Sequence, residues 1–260
     1  MKKVVFVLFL VCLVSLSFAA TKIRIGATPV PHAEILDFIK DDFEELGYDL
    51  EIVVFNDYVL PNLSLSNGEI DANYFQHVPY LKDFTAKRGI TNLVSAALIH
   101  VEPMGFYLKK DLNELKKGDK IVVPNDPTNE GRGLLLLHNN GIITLKEPDN
   151  LSATVADIVE NPYGLNFVEV EAGFIPRAYV DDKNIVGAII NTNYAIPIGL
   201  NPLVDALFSE GGESPYANII TVREEDLNEK WLEDLLSVLT SDKVKNFILE
   251  KYEGAVVPVF

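Results

Sequence analysis

The residues best suited to binding chemistry gather around Arg132, within residues 121–141. Three β-branched residues end a predicted strand, a loop with two prolines follows, and a leucine-rich helix runs to a glycine. Backbone N–H groups at a helix start bind anions, and a guanidinium beside them suits a carboxylate. We therefore expect this loop to hold the carboxylate of a small ligand.

The role of Arg132 depends on where its helix begins. Thr128 or Asn129 is the expected N-cap, which places Arg132 in the first helical turn. The helix macrodipole disfavours a cation there unless a negative group lies beside it. The alternative to a ligand carboxylate is an ion pair of Arg132 with Glu130 or Asp126.

Residues 73–77 form a second group, directly after a predicted short strand at residues 70–73. Tyr74, Phe75 and His77 belong to it, together with an amide side chain. Such a mixture is typical of a binding pocket, because it combines apolar surface with a few directional polar groups. The alternative is a core-facing Phe75, with Tyr74 and His77 hydrogen-bonded locally.

Two further pairs of polar residues are candidates for a site. His100 and Glu102 are two residues apart on one face of an extended segment, where they could accept from an ammonium or bind a metal, although a solvated strand face is the alternative. Asn191 and Asn193 directly follow a predicted strand, and asparagines at such places also form turns.

The elements that position these residues alternate between strand and helix, which predicts an α/β fold with mixed, mostly parallel sheets. A restart of the pattern predicts two lobes, the first of residues 20–108 and 216–260, the second of residues 109–215. The hinge is expected near residues 105–108 and 218–222. A helix is predicted at residues 153–159. The ligand cleft lies between the lobes, where strand ends meet.

The first 19 residues have the layout of a cleavable signal peptide, with Lys2 and Lys3 before an apolar run that ends at Ala19. Cys12 lies inside that run and lacks the preceding small residue typical of lipidation. We therefore expect no lipid anchor on Cys12 and an exported, periplasmic protein. With Cys12 removed, no disulfide or cysteine ligand remains.

Composition and motifs exclude several classes of function. The formal net charge of -16 and the absence of a basic run after the signal peptide disfavour nucleic acid as a partner. No nucleophile elbow or phosphate-binding glycine loop indicates an enzyme or a cofactor. A metal-binding importer is the remaining rival if His32, His77, His100 and Glu102 converge, but their spacing does not match a structural zinc site, and we expect no metal. The sequence gives no positive sign of a surface adhesin.

Several long motifs carry a resemblance to a known family and span the chain after the signal peptide in order. They are GATPVPHAE (residues 26–34), GEIDANYFQH (68–77), EPMG (102–105), VPNDPTNEGR (123–132), INTNYA (190–195), SPYAN (214–218) and KYEGAVVP (251–258). With them the chain resembles the NlpA/MetQ family of substrate-binding proteins, which serve an ATP-powered methionine importer.

The resemblance implies a two-lobed periplasmic-binding-protein fold of type II that passes L-methionine to a membrane permease, or, in some relatives, D-methionine or a methionine dipeptide. It implies that Arg132 binds the ligand carboxylate and that Asn191 and Asn218 fix the amino-acid end. It places four residues around the ligand side chain: Tyr74, Phe75, His77 and His100. It leaves the roles of Glu102, Asn129 and Asn193 less defined. Many members are lipoproteins, whereas this signal peptide departs from that pattern.

Overall fold

The structure is a computed structural model that describes residues 20–211 and 215–260. The predicted signal peptide and Cys12 lie outside the described residues. The strands are β1 Thr21–Ala27, β2 Tyr48–Val54, β3 Ala72–His77, β4 Leu93–Val101, β5 Gly105–Leu108, β6 Lys120–Pro124, β7 Thr144–Leu145, β8 Ile158–Glu160, β9 Asn166–Val170, β10 Ile185–Ile190, β11 Phe208–Ser209, β12 Asn218–Arg223 and β13 Val257–Pro258. The α-helices are α1 Glu34–Phe38, α2 Lys40–Glu45, α3 Leu60–Ser66, α4 Val78–Arg88, α5 Pro127–Asn139, α6 Ile175–Asp181, α7 Thr192–Ala195, α8 Lys230–Leu239 and α9 Asp242–Tyr252.

Two separate sheets form the centres of two lobes, which confirms the predicted two-lobed α/β fold. The first sheet has the strand order β13-β4-β12-β3-β1-β2 and so draws on both ends of the chain. The second has the order β11-β5-β10-β6-β9 and is built from the middle of the chain. The strands β7 and β8 form a small antiparallel pair beside it. The lobe boundaries given above stay a prediction.

Both sheets are mixed, and most strands of each run in the same direction, as predicted. In the first sheet β1 pairs in parallel with β2 and β3, whereas β12 and β13 pair antiparallel with their neighbours. In the second sheet β6 pairs in parallel with β9 and β10, whereas β5 pairs antiparallel with β10 and β11. The first strands after the two crossovers, β5 and β12, are antiparallel to the strands beside them, and so is the C-terminal strand β13.

Each lobe has its own apolar core, to which helices such as α8 and α5 contribute a face of apolar residues at helical spacing. In the first lobe Leu232, Leu235 and Leu239 of α8 are buried together with Ile35 of α1. In the second lobe Leu134 and Leu137 of α5 pack with residues of the central strands. Full burial of such a side chain contributes about 1.5–3 kcal/mol, so the two cores fix the strand ends that carry the site.

The chain crosses between the lobes twice. Residues 102–104 join β4 to β5, and residues 210–217 join β11 to β12, with residues 212–214 outside the described part. Residues 105–108 and 218–222, predicted as the hinge, lie within β5 and β12. The crossovers directly precede these two strands.

Two local predictions are wrong. Residues 153–159 do not form a helix, because Thr154 and Asp157 form a capping box around one 3-10 turn, after which β8 pairs with β7. Residues 74–77 do not follow a strand but lie within β3, whose described residues are all buried. No helix in residues 20–211 or 215–260 has the length and apolar character needed to cross a bilayer.

Candidate functional site

A cavity lies between the two sheets, at the strand ends that face each other. The space between its walls, including the part continuous with solvent, is about 340 Å³. It is lined by Tyr58, Phe75, Gln76, His77, Tyr80, Glu102, Asn129, Arg132, Asn191, Thr192, Asn193 and Asn218. Both lobes and the first crossover contribute side chains to this lining.

Helix α5 brings Arg132 into the cavity, but its start differs from the prediction. Asp126 is the N-cap, and its carboxylate accepts a hydrogen bond from the backbone N–H of Asn129 at 3.0 Å. Pro127 then occupies the first helical position, where its missing N–H costs nothing. Arg132 therefore lies beyond the first turn, and the anion position at the helix start is filled by Asp126 itself.

The ion-pair partner of Arg132 is Glu210, not Glu130 or Asp126. Nε of the guanidinium donates to Oε1 and Oε2 of Glu210 at 2.8 and 3.0 Å, and Nη2 donates to Oε2. The second Nη2 proton goes to the backbone oxygen of Glu102 at 2.7 Å. No described residue accepts a hydrogen bond from Nη1. One nitrogen of a buried guanidinium is thus left for a ligand.

Glu130 has a different environment from the one expected for an ion pair with Arg132. Its Oε1 accepts from the backbone N–H of Val155 at 2.9 Å. Burial raises the pKa of its carboxyl to about 7, and the nearby carboxylates of Glu169 and Asp126 add to the shift. A carboxyl that burial drives towards its neutral form is a poor partner for a cation.

Three asparagines supply directional groups to the cavity. Asn129 Oδ1 accepts from Asn191 Nδ2 at 2.9 Å and lies 3.4 Å from His77 Nε2. Asn193 Oδ1 accepts from the Tyr58 hydroxyl at 2.6 Å. Within the described residues, Asn191 Oδ1 and Asn193 Nδ2 are buried without a hydrogen-bond partner. A buried unpaired acceptor and donor in one cavity indicate a ligand that carries both a donor and an acceptor.

A buried hydrogen-bond network stands behind one wall of the cavity. Oε1 of Glu102 lies 2.7 Å from His100 Nε2 and 3.2 Å from His32 Nε2. The Nδ1 atoms of these imidazoles contact the hydroxyls of Tyr74 and Thr28. Both imidazoles are neutral, so each hydroxyl donates to Nδ1, the Nε2–H of His100 donates to the carboxylate, and the Nε2–H of His32 donates to Asn218 Oδ1 at 3.0 Å. The network therefore holds one carboxylate of the lining in a fixed orientation.

Burial controls the charges of this network. It lowers the imidazole pKa of His32 to about 4 and that of His100 to about 3. It also raises the pKa of Glu102, an effect that His32 and Arg132 partly offset. His77, which caps α4 by accepting from the backbone N–H of Tyr80, has a pKa lowered by burial to about 3. All three imidazoles are neutral at physiological pH.

The network has a ligand set that a cation could use, since Nε2 of His32, Nε2 of His100 and a carboxylate oxygen of Glu102 lie within 4.8 Å of one another. His77 belongs to a separate set of contacts with Asn129 and Tyr80. Bonds of about 2.0 Å in a tetrahedral zinc site separate the ligand atoms by roughly 3.3 Å. The 2.7 Å between His100 and Glu102 is the distance of a hydrogen bond instead.

An aromatic wall completes the cavity. The ring centroids of Tyr58, Phe75 and Tyr80 form a triangle with sides of 5.8, 5.9 and 6.0 Å. The hydroxyl of Tyr80 donates to the backbone oxygen of Tyr58 at 2.8 Å, so this polar atom is satisfied away from the cavity. Ring edges at such spacing favour contact with an apolar or thioether side chain.

The structure brings most of the predicted site residues together. Tyr74 is the first exception. Successive side chains of a strand point to opposite faces, so Tyr74 lies on the opposite face of β3 from Phe75 and packs into the core of the first lobe. His100 also lies outside the lining and reaches it only through Glu102. The predicted residues that do line the cavity are Phe75, His77, Glu102, Asn129, Arg132, Asn191, Asn193 and Asn218.

Sequence reasoning missed Tyr58, Gln76, Tyr80 and Thr192 in the lining, and Glu210 behind it. Tyr58 and Tyr80 carried a local signal, because both stand beside a predicted helix start near a strand end. Glu210 carried none, since its partner Arg132 is 78 residues away in the chain.

Comparison with known proteins agrees with this architecture. The sequence profile of the NlpA lipoprotein family matches residues 23–260. The chain belongs to the NlpA lipoprotein family. A member from Yersinia pestis, named D-methionine-binding lipoprotein MetQ, is 47% identical over 216 residues, which cover 82% of this chain and 79% of the relative. The methionine-binding lipoprotein MetQ of Bacillus subtilis is 41% identical over 242 residues, covering 92% and 88%.

Solved structures of NlpA-type proteins have the same fold. A nutrient-binding protein from Burkholderia cenocepacia, determined with methionine bound, superposes with a TM-score of 0.86 at 41% identity, covering 92% of this chain and 100% of that one. The methionine-binding protein MetQ gives a TM-score of 0.86 at 42% identity, with 92% and 98% covered. These likenesses confirm the type II binding-protein fold that the NlpA resemblance predicted.

Proposed function

We propose that this protein captures methionine outside the cytoplasm and delivers it to the permease of an ATP-powered importer. The observation that carries the proposal is the cavity itself. It presents a guanidinium nitrogen, an amide oxygen and an amide nitrogen that have no hydrogen-bond partner among residues 20–211 and 215–260, beside an aromatic wall. A zwitterionic amino acid with an apolar thioether side chain is complementary to this set of groups.

Each end of the ligand has its own proposed partners. Arg132 Nη1 and Asn193 Nδ2 donate to the carboxylate, which has no donors of its own. The ammonium donates to Glu102, Asn191 Oδ1 and the amide of Asn218. Direct contact with the ligand is proposed only for residues of the lining, so Tyr74 and His100 act through the orientation of Glu102.

The relatives support methionine as the ligand, and its enantiomer has to be measured. The Burkholderia cenocepacia protein was determined with methionine, and several relatives are named for D-methionine. We propose L-methionine as the principal ligand, as the family resemblance implies. A methionine dipeptide or another amino acid is the alternative, because one methylene in an apolar pocket changes affinity by only about 1–3 kcal/mol.

The proposal includes a place and a partner. Relatives are named lipoproteins, which places them outside the cytoplasm. For this chain we propose the periplasm without a lipid on Cys12, since no small residue precedes that cysteine. The permease is the proposed partner because binding proteins of this fold pass their ligand to one.

Catalysis and metal transport are less well supported. The relatives are binding proteins, and none of the lining side chains pairs a nucleophile with a base. A metal ion as solute would have to break the hydrogen bond between His100 and Glu102 and that between His32 and Asn218. The amino-acid ligand requires no such rearrangement.

The deciding experiment is a calorimetric titration of the mature protein, unfolded and refolded to remove any bound ligand. We expect tight binding of L-methionine, compared with D-methionine, glycyl-methionine, leucine and glutamine. Arg132→Ala removes the partner of a desolvated carboxylate and should cost about 2–5 kcal/mol of binding free energy. Arg177→Ala is the control, because the Arg177 side chain is 83% exposed and remote from the cavity.

Two results would reject the proposal. No binding of any methionine compound by the folded wild-type protein would assign the cavity to another solute. Near-normal affinity of Arg132→Ala would show that the carboxylate is not held where we place it.

A further inference from the structure

The guanidinium of Arg132 is bound side-on by a carboxylate from the second crossover. Nε and Nη2 both donate to Glu210, and Nη2 also donates to the backbone oxygen of Glu102. The ring of Tyr216 lies 4.4 Å from the guanidinium carbon. The Arg132 side chain is only 3% exposed, so these contacts define its orientation.

Glu210 is itself held by groups other than Arg132. The backbone N–H of Met104 donates to Glu210 Oε2 at 2.9 Å, and the backbone N–H of Glu210 donates to the oxygen of Met104 at 3.1 Å. Met104 lies in the first crossover and Glu210 in the second. The Glu210 carboxylate is therefore held by the backbone of the first crossover as well as by the guanidinium.

This geometry divides the five N–H donors of arginine between protein and ligand. Nε and Nη2 are committed to protein acceptors, whereas no described residue accepts from Nη1, and Arg132 lines the cavity. A free guanidinium would bind a carboxylate through two nitrogens in any of several rotations. Here Nη1 is the one guanidinium nitrogen that has no acceptor in the part of the chain that the structure describes.

We infer that Glu210 is the positioning residue of this site: it fixes the Arg132 guanidinium so that Nη1 alone is presented to the ligand carboxylate. The inference rests on the proposed function, since it assumes a ligand with a carboxylate. The opposite role for Glu210 is that of an internal competitor, which the ligand must displace from Arg132. The hydrogen bond from the Met104 N–H to the Glu210 carboxylate favours positioning, because displacement would also break it.

The first test needs no ligand. In NMR spectra of the ligand-free protein, the Arg132 side chain should show a downfield Nε–H proton and slow rotation about the Nε–Cζ bond. Its resonance is assigned by its loss in Arg132→Lys. Glu210→Gln should move this proton upfield and speed the rotation. A freely rotating guanidinium in the wild-type protein would overturn the inference.

The second test measures methionine binding. Glu210→Gln keeps the length of the side chain and should weaken methionine binding by about tenfold or more, because a fixed donor becomes a mobile one. Glu210→Ala should lose at least as much. Glu250→Gln is the matched control, since it removes the same charge from an exposed position of α9. Tighter binding by Glu210→Gln would establish the competitor role instead.

A double substitution separates positioning from a general structural effect. If Glu210 acts through Arg132, Glu210→Gln should add no further loss in an Arg132→Ala background. Methioninol, which lacks the carboxylate, should bind wild type and Glu210→Gln equally weakly. Additive losses, or equal losses for methionine and methioninol, would contradict the inference.

Failure of the proposed function remains distinguishable. If the wild-type protein binds no methionine compound, the proposed function fails, and the NMR measurement alone decides whether Glu210 fixes the guanidinium. If a variant does not unfold cooperatively on heating, its binding data are set aside and the wild-type spectrum decides.

Discussion

Charge at the residue scale is arranged so that the cavity faces its ligand with few free ions. Arg132 is neutralised by Glu210, and three buried histidines are neutral, whereas burial raises the pKa of the Glu102 carboxyl. In a medium of low dielectric constant a carboxylate gains strongly from a cationic neighbour. An ammonium beside Glu102 would therefore stabilise its ionised form, which makes this wall the favoured place for a cationic group.

The buried histidines make fold stability dependent on pH. Burial lowers the pKa of His32 to about 4 and those of His77 and His100 to about 3. An unfolded histidine binds its proton near pH 6.5, so between that pH and about 4 the unfolded chain holds more protons. The free energy of unfolding should therefore fall on acidification from pH 7 to 5, by up to about 2 kcal/mol for each histidine.

The measurement is an NMR titration of the imidazole Cε1–H resonances, supported by urea unfolding at both pH values. The three resonances should stay in the neutral position down to pH 5. Glu130 changes the free energy of unfolding in the opposite direction. Its pKa is raised to about 7, so its contribution to stability is lost as pH rises from about 4.5 to 7. The resonances are thus the cleaner test, and titration of any of them near pH 6.5 would contradict the prediction.

The positions of site residues were predictable from the sequence where the signal was local. The contact partners of these residues were not. Arg132, Asn191 and Asn193 could be placed at strand or helix ends from the turn residues beside them. The negative partner of Arg132 was expected, but its identity depends on a contact across 78 residues. His32 meets Asn218 across 186 residues, and no spacing in the chain encodes that contact.

At the scale of elements, α5 is the part of the second lobe that the site depends on most. It carries Asn129 and Arg132, and its first turn is fixed by the Asp126 cap. Its existence and end were predictable from the leucine run and Gly141. Its start was not, because Asp126, Thr128 and Asn129 are all good caps and only the tertiary structure selects one. The helix predicted at residues 153–159 does not form for a similar reason, since pairing of β8 with β7 outweighs local helix propensity.

Gly131 allows α5 to approach the loop at residues 151–153 closely. A Cβ atom there would lie 2.4 Å from the backbone oxygen of Leu151 and 2.9 Å from the backbone nitrogen of Ala153. Backbone cannot move aside as a flexible side chain can, so Gly131→Ala should destabilise the fold. We expect a loss of about 1–3 kcal/mol, despite the gain in helix propensity of about 1 kcal/mol.

Urea unfolding of Gly131→Ala and of a control on the same helix measures this effect. Asn139→Ala is the control, because Asn139 is exposed at the end of α5, and its stability should stay within about 0.5 kcal/mol of wild type. Wild-type stability of Gly131→Ala would show that the close approach of helix and loop is not required.

At the scale of the whole molecule, the lobes meet around the cavity through a few polar contacts. The hydroxyl of Tyr58 donates to Asn193 Oδ1, and that of Tyr194 donates to the backbone oxygen of Asn56 at 3.1 Å. The rings of Tyr58 and Tyr194 lie 5.1 Å apart. That the fold has two lobes was predictable from the restart of the strand-helix pattern. The contacts between the lobes were not, because they join residues more than a hundred positions apart.

The contact between Tyr194 and Asn56 tests whether closure of the lobes contributes to affinity, because Tyr194 does not line the cavity. Tyr194→Phe removes one hydrogen bond between the lobes and keeps the ring. A net loss of about 0.5–1.5 kcal/mol corresponds to a methionine affinity about two- to tenfold lower. Small-angle scattering of the ligand-free variant should give a larger radius of gyration, because one contact that holds the lobes together is lost. Tyr163→Phe is the control, since that hydroxyl forms no hydrogen bond among the described residues and lies within one lobe. If Tyr194→Phe binds methionine as tightly as Tyr163→Phe, the lobes do not transmit closure through this contact, and affinity is determined by the cavity alone.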